Sequence, residues 1–368
     1  MNYLYYCNSA YQILTVMNLH WHRKHAGFEQ IKDYDGDLLI QNSFADAAEM
    51  KRIIEENGFF RNVYLVDKAF NAGRFHALAT LADLLIPSYY LSSKYGLKRR
   101  EMNDYAVITA PKYSTLISAI WRLNPKAKLH LYEDGTAAYF GALDLTPESR
   151  LYKKYYQTLN YGRSFSDFEH IYLNDGSLFT GTQTEKVVSI PKFDEALLSE
   201  IRACFSSYLN GEDTRDKDIF YIAQYLNNRD INIFIDGLLS DLEEYKEHIL
   251  YIPHPRHQDE KTYNFAYASK KQIWELKQLD IQGLSEKMLI AIHSTACFTP
   301  KILFDEEPYL LLFYKLCEDK VTYRDERFDA FVERFIRTYR DPSKILIPES
   351  KEELLSYVKE FVERKEKN

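Results

Sequence analysis

Along the chain, short runs of β-branched, aromatic and aliphatic residues alternate with longer stretches whose apolar positions recur every three or four residues. The short runs predict strands over residues 3–7, 37–41, 62–66, 105–109, 128–132, 186–190, 218–223, 249–253 and 288–293. The longer stretches predict helices over residues 10–25, 45–57, 74–90, 113–123, 193–209, 294–304 and 326–339. Several of the strands are apolar at every position, as strands of a parallel sheet are when helices cover both faces. Strand–helix alternation of this kind predicts a doubly wound α/β architecture. The strand ending at Ile190 is followed by Pro191, and a polar patch, Asn210-Gly211-Glu212-Asp213-Thr214-Arg215-Asp216, precedes the next one. That break predicts two Rossmann-like domains, residues 1–192 and 193–368, each long enough for its own core. Residues 350–368 read as a terminal amphipathic helix with Leu354, Leu355, Val358 and Val362 on one side.

Composition narrows the class. With 46% hydrophobic and 27% charged residues in 368, the chain is an ordinary globule of about two domains. The 54 acidic and 47 basic residues leave a net charge of -7, which argues against a nucleic-acid partner. Four scattered cysteines, Cys7, Cys204, Cys297 and Cys317, form no C-x-x-C pair and are expected to be reduced thiols. Met1 leads directly into an apolar strand without a basic n-region, and nowhere do about 18 apolar residues run together. A cytoplasmic protein is the expectation.

In open α/β sheets ligands bind beyond the carboxyl ends of the strands, so the residues that follow each strand are the candidates. After the first strand comes Asn8-Ser9-Ala10-Tyr11-Gln12; after residues 128–132, Glu133-Asp134-Gly135-Thr136; after 218–223, Gln224; after 249–253, His254-Pro255-Arg256-His257; after 288–293, Ser294-Thr295. Two of these turns fall in the first half and three in the second, which predicts a central cleft lined from both domains.

Each turn suggests a chemistry and also a plainer role. In Glu133-Asp134-Gly135, neighbouring side chains point to opposite faces, so one carboxylate can face a ligand while the other faces the interior. Gly135 permits a tight turn and close approach. A carboxylate there suits a general base toward a sugar hydroxyl, although Asp and Gly are also common in solvated turns. His254, held extended by Pro255, suits a phosphate or leaving-group contact; a histidine hydrogen-bonded at a strand end would look alike. Ser294-Thr295 opens a helix, either as an N-cap or as an anion site.

Other patterns fall away. His20, His22 and His25 do not share a helical face, so no metal site is expected from them. Asp33, Asp35 and Asp37 lack the twelfth-position carboxylate of a calcium loop, since Phe44 stands there. Neither a G-x-x-x-x-G-K-[ST] loop nor a G-x-G-x-x-G fingerprint occurs, and no G-x-S-x-G elbow.

Taken in order, these turns resemble those of bacterial sialyltransferases, in particular glycosyltransferase family 52, the lipooligosaccharide and capsule sialyltransferases. Cys7-Asn8-Ser9-Ala10-Tyr11-Gln12 is similar to that family's C-x-[ST]-x-x-Q opening. Tyr132-Glu133-Asp134-Gly135-Thr136 and Pro253-His254-Pro255-Arg256 resemble its acidic-acidic-Gly and His-Pro motifs, His293-Ser294-Thr295-Ala296 loosely its Ser-Ser/Thr motif, and Ile190-Pro191-Lys192-Phe193-Asp194 the lead into its second domain. The resemblance implies a GT-B fold, two Rossmann-like domains facing a central cleft, with the acceptor and general base on the first and the CMP-sugar on the second. It implies CMP-N-acetylneuraminic acid as donor, a galactose-terminated glycan, lipid-linked or free, as acceptor, inversion with an α-2,3 link, and neither metal nor other cofactor. Asp134 and His254 would be the catalytic base and acid, with Asp230 or Asp236 as alternative bases. Ser9, Gln12, Glu133, Gly135, Gln224, Pro255, Arg256, Ser294 and Thr295 would contact donor or acceptor. Relatives can dimerise, and work at the inner face of the cell membrane follows from a lipid-linked acceptor, with Lys94, Lys98, Arg99 and Arg100 as a basic patch. A UDP-sugar hexosyltransferase of the same fold, such as a glucosyltransferase, and a non-catalytic glycan- or nucleotide-binding subunit of an envelope-assembly complex stay open as alternatives.

Overall fold

The structure, a computed structural model, describes residues 1–44, 46–67, 85–141, 154, 157–158, 161–207, 209, 214, 216–224, 228–254, 263–269, 273–320 and 326–367. The chain divides into two compact units, Met1–Leu197 and Leu198–Asn368.

In the first unit, β1 (Asn2–Cys7), β2 (Asp35–Asn42), β3 (Asn62–Asp67), β4 (Val107–Ala110), β5 (Lys128–Tyr132), β6 (Ile171–Leu173) and β7 (Val187–Ser189) form one sheet in the order β3-β2-β1-β4-β5-β6-β7. All of its pairings are parallel. Leu4, Tyr5, Leu38, Leu39, Ile108 and Leu131 are buried completely or nearly so, because helices cover the sheet: α1 (Ala10–His25), α2 (Ala47–Glu56), α3 (Pro87–Tyr95) and α4 (Thr115–Leu123). The helix α5 (Glu195–Cys204) spans the point where the two units divide.

In the second unit, β8 (Ile219–Ile222), β9 (Ile249–Ile252), β10 (Ala266–Tyr267), β11 (Met288–Ala291), β12 (Tyr309–Leu312) and β13 (Ile345–Leu346) form a parallel sheet in the order β10-β9-β8-β11-β12-β13. Its helices are α6 (Arg229–Leu242), α7 (Trp274–Lys277), α8 (Thr295–Phe304), α9 (Glu326–Ile336) and α10 (Lys351–Lys367). The last of these packs on Leu354, Val358, Phe361 and Val362, so Phe361 takes the buried place expected of Leu355. Among the described residues no helix is long and apolar enough to cross a membrane. All four cysteines are buried and none forms a disulfide.

The doubly wound α/β layout is as expected, and the predicted strands all exist with ends shifted by one or two residues. Four strands, β6, β10, β12 and β13, and the helices α6 and α7 were not predicted. Of the helix expected over 74–90, residues up to 84 lie outside the described residues, and the described part becomes α3, which starts at Pro87.

Candidate active site

Each sheet reverses its strand order once, between β1 and β4 in the first unit and between β8 and β11 in the second. At such a switch point the loops leaving two neighbouring strands run to opposite faces and open a crevice at the carboxyl edge. Among the described residues, Ser9, Gln12, Glu133, Asp134, Gly135, Gln224, His254, Ser294 and Thr295 follow the carboxyl ends of strands.

In the first unit, α1 starts where Ser9 adopts an extended conformation (φ -146°, ψ 159°) and its Oγ accepts from Gln12 N at 3.3 Å. That N-cap turns Gln12 back over the end of β1. Its Oε1 accepts from Asn8 N at 2.7 Å and from Tyr132 Oη at 3.4 Å. Its Nε2 then donates to Asp134 Oδ1. Lys112, two residues beyond β4, donates to Asp134 Oδ2 at 3.0 Å. The Asp134 side chain is 34% exposed, so the carboxylate is held from two sides and still reachable.

Glu133 points the other way and is fully buried. Tyr11 Oη, Tyr139 Oη, Asn174 N and Asn174 Nδ2 all donate to its two oxygens. Burial pushes its carboxyl pKa up, and the donors from Tyr11, Tyr139 and Asn174 pull it part of the way back. Expected among the ligand contacts, Glu133 has its acceptors engaged inside the unit instead, and it anchors the turn on which Asp134 sits. Gly135 follows with φ 100° and ψ -168°, a conformation in practice restricted to glycine.

In the second unit, Gln224 Oε1, just past β8, accepts from His293 N at 2.8 Å, just past β11. This bridge ties the ends of the two switch-point strands together. Burial lowers the His293 pKa, so the ring favours its neutral form. Ser294 occupies the N-cap position of α8 (φ -65°, ψ 135°) without a side-chain capping bond, and Thr295 is the first residue of the helix. Both are half-buried. His254, also half-buried, stands two residues past β9. Pro255 and Arg256 lie outside the described residues. Asp230 is exposed in the first turn of α6, and Asp236, farther along it, accepts from Tyr263 Oη at 2.6 Å.

Lys112, Tyr139 and Asn174 escape a reading of the motifs. Lys112 stands just past an anticipated strand, in Ala110-Pro111-Lys112, and the same carboxyl-end rule applied there finds it. Asn174 follows β6, which at three residues is too short to read from its apolar pattern.

The sequence model of the family described as Alpha-2,8-polysialyltransferase (POLYST) matches residues 3–299. Comparison with curated proteins gives no significant match. Among solved structures, the chain is similar to one titled as the glycotransferase of kitacinnamycin, with a TM-score of 0.53 and 10% identity over 98% of this chain and 90% of that one. It is also similar to a Listeria monocytogenes protein described as a UDP-N-acetylglucosamine 2-epimerase, with a TM-score of 0.51 and 8% identity over 99% of this chain and 88% of that one. At such identities the likeness concerns the fold alone, which is the GT-B-like α/β fold expected. The family match covers most of the chain and takes in both switch points: the chain belongs to the alpha-2,8-polysialyltransferase family, a family of sialyltransferases.

Proposed function

We propose that this protein transfers sialic acid from CMP-N-acetylneuraminic acid to a hydroxyl of a bacterial surface glycan, with inversion and without a metal in the reaction. The observation that carries this reading is the Asp134 carboxylate, reachable at the carboxyl edge, oriented by Gln12 and Lys112, in a chain of a sialyltransferase family.

In the proposed reaction Asp134 takes the proton of the acceptor hydroxyl while that oxygen attacks the anomeric carbon. A carboxylate oxygen has two lone-pair sites, so Oδ2 can accept from the substrate while Lys112 occupies the other. The bond from the anomeric carbon to the CMP phosphate oxygen breaks with its electron pair on the phosphate. His254 donates a proton to that oxygen, and Ser294, Thr295 and the N-terminus of α8 hold the anionic phosphate. Ser9 and Gln224 order the two edges.

Two acceptors follow from two observations. The motif resemblance favours a terminal galactose and an α-2,3 link on a lipooligosaccharide or capsule chain. The matched family's description favours a terminal sialic acid and an α-2,8 link. A lipid-linked acceptor would place the enzyme at the inner face of the membrane, where the exposed Lys94, Lys98, Arg99 and Arg100 meet anionic headgroups.

The test is an assay of the purified chain with CMP-sialic acid against galactosides and sialylated galactosides, in excess chelator. Asp134→Ala and His254→Ala are each expected to lose at least about 100-fold in turnover while remaining folded. Near-full activity in Asp134→Ala would pass the base role to Asp230 or Asp236. Thermal protection by UDP and not by CMP would favour a UDP-sugar hexosyltransferase instead. Binding of CMP-sialic acid with no donor consumed would favour a non-catalytic subunit.

A further inference from the structure

Away from the carboxyl edge of the first unit, two histidines stand side by side, His130 on β5 and His170 at the entry to β6. Leu131 pairs with Ile171 and Tyr132 with Tyr172, so His130 on β5 and His170, the residue just before β6, project from the same face. Their ring centroids are 5.0 Å apart. One ligand atom each from His130, Glu169 and His170 lies within 4.8 Å of the other two. His130 is only 4% exposed. Its Nε2 is buried without a hydrogen-bond partner among the described residues, with Glu169 Oε2 at 3.8 Å.

The other ring nitrogen explains which way this histidine is set. His130 Nδ1 lies 3.3 Å from Tyr172 Oη, and Tyr172 donates its proton to Glu29 Oε1 at 2.6 Å. Glu29 is itself held by Arg23 Nε at 2.8 Å. A carboxylate only accepts, so the Tyr172 proton belongs to the Glu29 bond and the Tyr172 oxygen must accept from His130. Nδ1 therefore carries the imidazole hydrogen, and Nε2 presents a bare lone pair to His170 and Glu169. Burial keeps the ring neutral, lowering its pKa to about 2. A metal-bound histidine needs this arrangement: a neutral ring, one lone pair toward the ion, and the opposite N–H fixed by an outer partner.

We propose that His130 Nε2, His170 and Glu169 bind a divalent ion of the zinc class, which clips β5 to β6 at a place separate from the Asp134 turn. Two imidazoles and one carboxylate suit Zn²⁺ or Co²⁺ better than Mg²⁺ or Ca²⁺, which prefer all-oxygen sites. Zinc contacts of about 2.0–2.2 Å require the three ligand atoms to draw together. His170 is half-buried and Glu169 exposed, so both side chains have room to turn. Lys128 Nζ now holds Glu169 Oε2 at 2.9 Å, but with side chains 59% and 42% exposed that pair yields at little cost. Water fills the fourth tetrahedral position.

The test uses the untagged full-length chain, stripped with chelator and then titrated with Zn²⁺ by calorimetry and with Co²⁺ by visible absorption. One ion per chain and a Co²⁺ ligand-field band are expected. His170→Ala and Glu169→Gln, which sit where substitution leaves the core intact, should each weaken Zn²⁺ binding at least about 10-fold, since even the loss of an outer partner costs that much. Far-UV circular dichroism of both variants verifies the fold. Absence of a stoichiometric site in the wild type, or unchanged affinity in both variants, overturns the proposal.

Discussion

Lys112 Nζ stands 3.0 Å from Asp134 Oδ2 on one side while the Gln12 amide donates to Oδ1 on the other. The carboxylate is thus aimed by a cation from the end of β4 and an amide from the first turn of α1. Replacing Lys112 by Met removes one of these guides. Turnover should fall between about 10- and 100-fold, the scale of a small misplacement of a reacting group. Stability should change by less than about 1 kcal/mol, since both side chains are partly exposed. Steady-state kinetics beside a urea melt separates the two effects; an unchanged turnover would leave Lys112 with no part in aiming the base.

Gln12 is fully buried and uses both ends of its amide. Gln12→Met keeps the volume but leaves Asn8 N–H and one Asp134 oxygen without their partner. A loss of about 1–3 kcal/mol in stability is expected from the unpaired group, together with a drop in turnover. Gln12→Glu would place a second carboxylate against Asp134 and should be at least as damaging. A Gln12→Met protein as stable and active as wild type would mean that the turn is held elsewhere.

Gly135 holds φ at 100° and ψ at -168° immediately after the Asp134 carboxylate. A Cβ there is strained whatever space surrounds it, so Gly135→Ala should cost about 1–3 kcal/mol. Because the strain lies next to Asp134, activity should suffer more than stability. A Gly135→Ala chain with wild-type thermal midpoint and turnover would contradict this.

Glu275, on the short helix α7, is 8% exposed, and burial pushes its carboxyl up to about 7 from an ordinary 4.5. Below pH 4.5 the group is protonated in folded and unfolded chains alike, and its contribution to stability is intact. As the pH rises toward 7 the unfolded chain releases the proton and the folded chain retains it, so stability is lost across this window. The loss approaches about 3 kcal/mol. Glu275→Gln should therefore gain on the wild type as the pH rises through this range and level off above it. Denaturant melts of both proteins at a series of pH values measure the difference; a gap that stays constant with pH would remove Glu275 as its source.

Apolar runs made most of the fold legible, because strands such as Ile219–Ile222 and Met288–Ala291 are buried at every position. The same rule fails for β13, two residues long and half-buried at both. The helix α6 was hidden for another reason. Its Ile231-Asn232-Ile233-Phe234-Ile235 segment is β-branched or aromatic at four of five positions, like a strand, and Gly237 follows, yet Ile233 is 58% exposed while Ile231, Leu238, Leu239 and Leu242 are buried. At the site, Glu133 and Asp134 divide inward and outward as strand alternation requires. The Glu133 partners Tyr11, Tyr139 and Asn174 come from three separate segments, and no spacing in the sequence joins them.

Gln12, Asn18 and Arg23 give the sheet-facing side of α1 a polar thread. Gln12 reaches Asp134, Asn18 donates to Asn174 Oδ1 at 3.2 Å and to the Pro191 carbonyl at 2.9 Å, and Arg23 donates to Tyr5 Oη at 2.6 Å. A purely greasy interface would let such a helix slide or swivel between near-equivalent seatings. Here a slip of a single residue would break all three connections at once, so α1 works as a keyed bolt. Mutational tolerance along it should be confined to its outward positions, such as Lys24 and His25.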